Sequence, residues 1–324
     1  MIRSWSRLKL QSSCTKQYRY PLTLFKEKPM KVRFVQSIID SIRGKHSFQN
    51  EIARIQTDIS IIRNNLRKMN RLQRNDSEYE DRRKMEDPLH LDRFGWKVFS
   101  QNDEDGIIQE IFRRIGTTNK TFVEFGVQDG LESNCHWLLF NGWNGLWIDG
   151  DTEYFKRLQK YFVKPLSTGR LKALRAFITL DNINKLIGGD GNINGEIDFL
   201  SIDIDGNDYW IWEKICCIQP RVVAIEYNAK FPPPCEWVME YDSNYVWDGS
   251  DKQGASLKSL ELLGNRLGYT LVGTNRNGAN AFFVKRDLAK GLFAEPATAE
   301  NLYHSMVPDM YISSGHVTKK YIGQ

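Results

Sequence analysis

The chain has 324 residues, 41% of them hydrophobic and 26% charged, with 24 Gly and 10 Pro. That excludes a collagen-like or low-complexity chain and leaves room for one large domain plus an extension. The formal charge of +5 is unevenly spread: residues 1–74 hold 17 Lys and Arg against only Glu27, Asp40, Glu51 and Asp58, while the remainder is net −8. The sign of the whole chain is therefore a poor guide to what the domain binds.

Residues 1–47 read as a basic, poorly structured arm. Met1–Phe25 lacks acidic residues in the manner of a transit peptide, and it has no apolar core of the secretory kind. Phe48, Ile55, Ile62 and Met69 recur every seven residues, as do Ile52, Ile59 and Leu66. Together they make an a/d seam over residues 48–73. A lone helix of that length is marginal in water, so the seam either pairs with a second copy, giving a homodimer through a coiled coil, or lies across the domain. Residues 74–90 read as a polar linker ending near Pro88. The arm carries no aromatic platform or nucleic-acid motif, so no specific nucleic-acid partner is expected. No apolar run approaches the roughly 20 residues that cross a bilayer. The five cysteines, Cys14, Cys135, Cys216, Cys217 and Cys235, show no metal-ligand spacing and read as reduced thiols, which suits a cytoplasmic protein.

Residues 91–290 alternate between helical and β-rich runs. The expected order is helix Asp103–Ile115, strand Thr121–Phe125, helix Glu132–Phe140, strand Gly145–Ile148, helix Glu153–Phe162, strand Leu174–Ile178 and a helical turn Ile183–Ile187. Strand Ile197–Ile202, helix Tyr209–Ile215 and strand Arg221–Glu226 follow. After a long loop from Ala229 to Gly254 come helix Ala255–Gly268 and an antiparallel pair, Tyr269–Gly273 and Ala281–Lys285. Such alternation predicts an α/β fold, a seven-stranded doubly wound Rossmann-like sheet that binds ligands beyond the carboxyl ends of its strands. Residues 291–324 form a tail with no assigned role.

Three strand ends carry chemistry. The first runs into Glu124-Phe-Gly126-Val-Gln128-Asp-Gly130, where glycines allow a sharp turn and close approach to a ligand. The second ends at Asp149, about 20 residues on, a separation suited to a ribose diol. The turn lacks the G-x-G-x-x-G spacing of dinucleotide folds. Its order with Ser100–Gly106, Gly145–Asp151 and Ser201–Asp208 resembles the FkbM-type class I S-adenosylmethionine-dependent methyltransferases over residues 94–286. The resemblance implies S-adenosylmethionine as cofactor, with Glu124, Gly126 and Gly130 around the methionine moiety and Asp149 on the ribose. It departs from the family at Gln128, which replaces a small residue. It also implies a small-molecule or glycan acceptor, to which the Pro-, Tyr- and Trp-rich loop between Phe231 and Gly249 offers aromatic faces.

The fourth strand ends in Asp203-Ile-Asp205-Gly206-Asn207-Asp208 and the fifth in Glu226-Tyr-Asn228. Neighbouring ends gather carboxylates that repel one another, which implies a base, a divalent cation, or both. Asp203, Asp205, Glu226 and Asn228 are the expected catalytic set, no residue being assigned to a metal, and Asp208 is expected to cap the following helix. The Asp203-Ile-Asp205 spacing also fits a metal-dependent nucleotide-sugar glycosyltransferase. A non-catalytic adaptor that works through its coiled coil is a third reading. Asp190–Ser201 opens like an EF-hand but ends without the bidentate Glu, and His136 reads as packed rather than catalytic.

Overall fold

The computed structural model describes residues 86–305. The expected arm (1–47), the heptad helix (48–73) with its homodimer, residues 74–85 of the linker and residues 306–324 lie outside the described residues. All described residues belong to the second of the chain's two units, which begins at Lys84. Among them, no helix is long and apolar enough to cross a membrane.

The seven strands are β1 (Thr121–Phe125), β2 (Asn144–Asp149), β3 (Leu171–Arg175), β4 (Gly195–Ile202), β5 (Ile218–Glu226), β6 (Tyr269–Thr274) and β7 (Asn280–Lys285). They form one sheet in the order β3-β2-β1-β4-β5-β7-β6, in which only β7 runs against its neighbours. The helices are α1 (Glu104–Ile115), α2 (His136–Phe140), α3 (Thr152–Tyr161), α4 (Val163–Ser167), α5 (Asp208–Lys214), α6 (Leu257–Leu267), α7 (Arg286–Ala289) and α8 (Ala299–Leu302). This is the expected doubly wound α/β sheet.

Period-two alternation sorts the strand side chains between two cores. Val123, Phe125, Leu200, Ile202, Val223 and Ile225 pack against Ile211 and Trp212 of α5 and Leu260 and Leu263 of α6. Phe122, Phe199, Val222, Ala224 and Phe282 meet Ile107, Ile108 and Ile111 of α1, Leu138 of α2 and Leu158 of α3. Each of the Val, Leu, Ile and Phe side chains contributes about 1.5–3 kcal/mol on burial. At the amino end of the sheet the buried Asp198 accepts from the amides of Thr118, Asn119 and Lys120 and from Arg221 Nη1 at 2.7 Å. Burial alone would raise its pKa, but Arg221 and the amides outweigh that and hold it below the usual range.

Four local expectations are corrected. The helix expected from Glu132 starts at His136, because the carboxylate of Glu124 takes up the amides of Asn134 and Cys135. β3 lies earlier than expected: Leu171 pairs with Gly145, and Ile178 is buried in a loop rather than in a ladder. The turn at Ile183–Ile187 becomes a wide helical turn over Lys185–Asp190. The tail does not start at 291, because Phe293, Ala294, Ala299 and Leu302 are buried and Thr274 Oγ1 donates to the carbonyl of Leu302 at 2.7 Å. A cavity of about 360 Å³ at the amino end, bordered by Trp212, Cys216, Tyr269 and Lys285, lies at the opposite end of the sheet from the carboxylates described next.

Candidate active site

The turn after β1 is shaped by contacts within the chain. Gly126 has φ +70°, and a Cβ there would fall 1.6 Å from the carbonyl oxygen of Asp203. The β1 turn therefore lies against the end of β4 with no room for a side chain. A Cβ on Gly130, φ +79°, would meet the Trp147 and Phe162 rings at 2.6 and 2.9 Å. Gln128, at φ +51°, holds the left-handed position between them.

Gln128 also joins the turn to β2, since its amide donates to Asp149 Oδ2 at 2.7 Å while the Asp151 amide donates to Asp149 Oδ1 at 2.8 Å. Burial raises the Asp149 pKa, these amides oppose the rise, and Asp151 and Asp205 add to it. Asp151 in turn caps α3 through the amides of Glu153 and Tyr154. The side chain of Phe177, 49% exposed, lies beside Gly150 at the same end. Its position just after β3 carried no motif by which sequence reading could have found it.

Glu124 faces the core instead of a crevice. Oε1 accepts from the Asn134 amide, and Oε2 accepts from Ser133 Oγ, the Cys135 amide and Trp147 Nε1 at 2.8 Å. Burial pushes its pKa up to about 7 against the opposing pull of these bonds. These bonds brace the loop that follows the glycine turn.

Asp203, Asp205 and Glu226 do converge, each offering an oxygen within 4.8 Å of the others. Glu124 and Ser201 are register partners on β1 and β4. Asp203 continues that row and Glu226 ends β5 beside it, on the face covered by α1. Burial raises Asp203 most, followed by the charges of Asp205, Asp208, Glu124 and Glu104; burial raises Glu226, followed by Asp203, Asp208 and Asp205. Asp205 stands at φ +56°. Asp208, expected to cap the following helix, instead accepts from the Ile204 and Gly206 amides at 2.9 Å and closes the turn before it, the helix start at Asn207 having no side-chain cap; burial raises its pKa to about 6.

Asn228, expected in the catalytic set, bonds to the long loop. Its Nδ2 donates to the carbonyls of Asp251 and Gln253, and its Oδ1 accepts from the Lys230 amide. These bonds fasten both ends of the long loop. Further along, Asn207 exchanges hydrogen bonds with the backbone of Asp242, Trp210 Nε1 donates to the Met239 carbonyl at 2.7 Å, and the Leu180 amide donates to Tyr241 Oη at 3.1 Å. The loop thereby reaches from β5 across to the segment after β3. Phe231 and Trp237 stack at 4.3 Å, and Trp247 is partly exposed.

Two residues that sequence reading missed complete the surroundings. Glu104, at the start of α1, is buried and accepts from Asn280 Nδ2 at 3.0 Å and from the Asn102 amide at 2.7 Å. Asn280 is the register partner of Glu226. Glu104 lies within Ser100–Gly106 and its sequence position reads only as helix; Asn280 becomes a neighbour only through the β5–β7 pairing. His136 is packed, stacked on Phe99 at 3.9 Å and edge-on to Phe162. The EF-hand-like stretch is taken up by β4 from Gly195 onward.

No protein-family model matches the chain, and no curated protein matches it. Among solved structures it is similar to the methyltransferase domain of bacterial CtHen1-C, with 12% identity over 57% of this chain and 97% of that chain and a TM-score of 0.38. It is similar to an O-methyltransferase from Bacillus cereus in complex with SAH, with 14% identity, coverage of 54% and 76%, and a TM-score of 0.36. It is also similar to an S-adenosylmethionine-dependent methyltransferase from Clostridium acetobutylicum, with 11% identity, coverage of 55% and 88%, and a TM-score of 0.35.

Proposed function

We propose that the domain is an S-adenosylmethionine-dependent methyltransferase that O-methylates a carbohydrate or another hydroxylated small acceptor. One juxtaposition carries this reading. The Gln128 amide ties the glycine turn to Asp149 at 2.7 Å, and the same turn abuts Asp203 through Gly126. A site for a nucleoside and a group of reacting carboxylates thus share one wall. The residues fit the cofactor chemically: Asp149 retains acceptor capacity for a ribose diol, Phe177 offers a face to the base, and the carboxylates favour a positive sulfonium. Glu124, Gly126 and Gly130 shape the turn that receives the methionine portion.

The bound cofactor supplies an electrophilic methyl group. Asp203, its basicity raised by burial and by its acidic neighbours, takes the proton of the acceptor hydroxyl as the oxygen attacks. Asp205 and Glu226 keep the surroundings negative, and Trp237 and Trp247 give the acceptor side aromatic faces suited to a sugar ring. The glycosyltransferase alternative keeps one favourable observation, the convergence of Asp203 and Asp205; it requires nucleotide-sugar binding with manganese. Calorimetric titration with S-adenosylhomocysteine decides between them. Wild type is expected to bind, with Asp149→Ala at least 10-fold weaker, a loss of about 1.4 kcal/mol. Binding of a nucleotide sugar with no binding of S-adenosylhomocysteine would reverse the assignment.

A further inference from the structure

Residues 154–180 hold seven Lys and Arg and no Asp or Glu, whereas the rest of the described residues carry 16 Lys and Arg against 31 Asp and Glu. Positive charge is thus concentrated where α3 turns into α4 and on into the edge strand β3. Lys156 and Arg157 pair with Glu153 and Asp129. Lys160 and Lys164 are exposed and, among the described residues, form no ion pair. Between these two lysines the chain reads Tyr161-Phe162-Val163. Phe162 turns inward, edge-on to Trp147 at 4.7 Å and to His136 at 5.0 Å. Its neighbours stay outside, Tyr161 48% and Val163 60% exposed. The His136 contact sets this corner beside α2, which ends in Phe140, 70% exposed and stacked on Trp137. Phe140 in turn lies 6.0 Å from Phe99, next to the exposed Val98. Exposed apolar side chains scattered singly call for no explanation, but these gather over one core.

We propose that this side of the domain docks on a bilayer surface carrying anionic headgroups. Tyr161, Val163 and Phe140 enter the boundary between headgroups and acyl chains, and Lys160 and Lys164 meet the phosphates. A lysine beside an apolar tip keeps its ammonium at the headgroup level while its methylene stem follows the tip inward. The acids nearest the corner do not oppose this, since Glu132, Glu153 and Asp129 already face Lys97, Lys156 and Arg157. Charge alone would suit a nucleic acid equally. The aliphatic Val163 and Val98 decide between them, because they give a base no stacking face yet gain on leaving water for acyl chains. Stable attachment takes two kinds of attraction, and the corner supplies both. Docking of this kind does not rest on the methyl-transfer reading.

The test is hydrogen–deuterium exchange of the full chain on vesicles of phosphatidylcholine alone and of equal parts phosphatidylcholine and phosphatidylserine. Residues 1–74 are strongly basic themselves, so the local protection, not total binding, is the readout. Amides of residues 137–141 and 158–168 should exchange several-fold more slowly on the phosphatidylserine vesicles and remain unchanged on phosphatidylcholine. Lys160→Glu combined with Lys164→Glu should raise the vesicle concentration for half protection about 10-fold. Tyr161→Ser combined with Val163→Ser should raise it about 5-fold. The charge-matched pair Lys214→Glu with Lys290→Glu, exposed elsewhere on the domain, should leave it unchanged. All these side chains are exposed, so the variants should melt at the wild-type temperature, and a loss of protection then reports the surface. Absence of protection at the corner in wild type, or protection that survives both corner variants, would overturn the proposal. Protection there by a single-stranded oligonucleotide but not by vesicles would overturn it in favour of nucleic acid.

Discussion

Glu124 illustrates how one buried carboxyl sets a pH dependence. Its pKa is raised from 4.5 to about 7, chiefly by burial, so the folded chain holds a proton that the unfolded chain has released. Its contribution to stability is therefore fully present below about pH 4.5 and is lost as pH rises through about 7. The shift corresponds to about 3 kcal/mol. Urea unfolding of Glu124→Gln should show that slope flattened across the same interval, at the cost of a lower stability in acid because one acceptor oxygen is gone. An unchanged slope would mean that Glu124 is ionised in the fold. The acid was legible in the sequence as part of a turn motif. Its inward direction was not, because that depends on Trp147, Ser133 and Cys135 arriving from other parts of the chain.

At the scale of elements, the β1 turn was placed correctly from its glycines, but for an incomplete reason. Spacing suggested close approach to a ligand, whereas both glycines are required by protein atoms, the Asp203 carbonyl and the Trp147 and Phe162 rings. Gly126→Ala should therefore destabilise the domain by about 3–5 kcal/mol. Gly268→Ala, at φ +89° with nothing within 4 Å, should cost only about 1–2 kcal/mol, the backbone term alone. Thermal unfolding of the two variants measures the difference; equal losses would remove the overlap as the cause. The strands were the most legible elements, because apolar runs bounded by turns record burial on both faces. The shortened α2 was not, since Glu124 competes for its first amides. Nor was the insertion of β7 between β5 and β6, which brings Asn280 to Glu226.

The whole domain separates its work between two ends of the sheet. The amino end is fastened by the buried Asp198–Arg221 pair, and the carboxyl end gathers acids that oppose one another. Arg221→Leu would leave Asp198 buried without its cation and should cost about 3–5 kcal/mol. Because Asp198 is held below its ordinary pKa, its contribution is present above the usual carboxylate range and is lost as pH falls below it. The acid-unfolding midpoint of Arg221→Leu should therefore lie at higher pH than that of wild type, and equal midpoints would remove the pair as a source of acid resistance. The domain's limits were less legible than its layers: the expected tail adds Phe293, Ala299 and Leu302 to the cores, which no motif announced. The most direct measurement is a crystal structure of the domain soaked with S-adenosylhomocysteine. The ribose should lie against Asp149 and the Gln128 turn, with the sulfur directed toward Asp203. Density for the nucleoside in the amino-end cavity beside Trp212 and Cys216, or none at Asp149, would contradict the assignment.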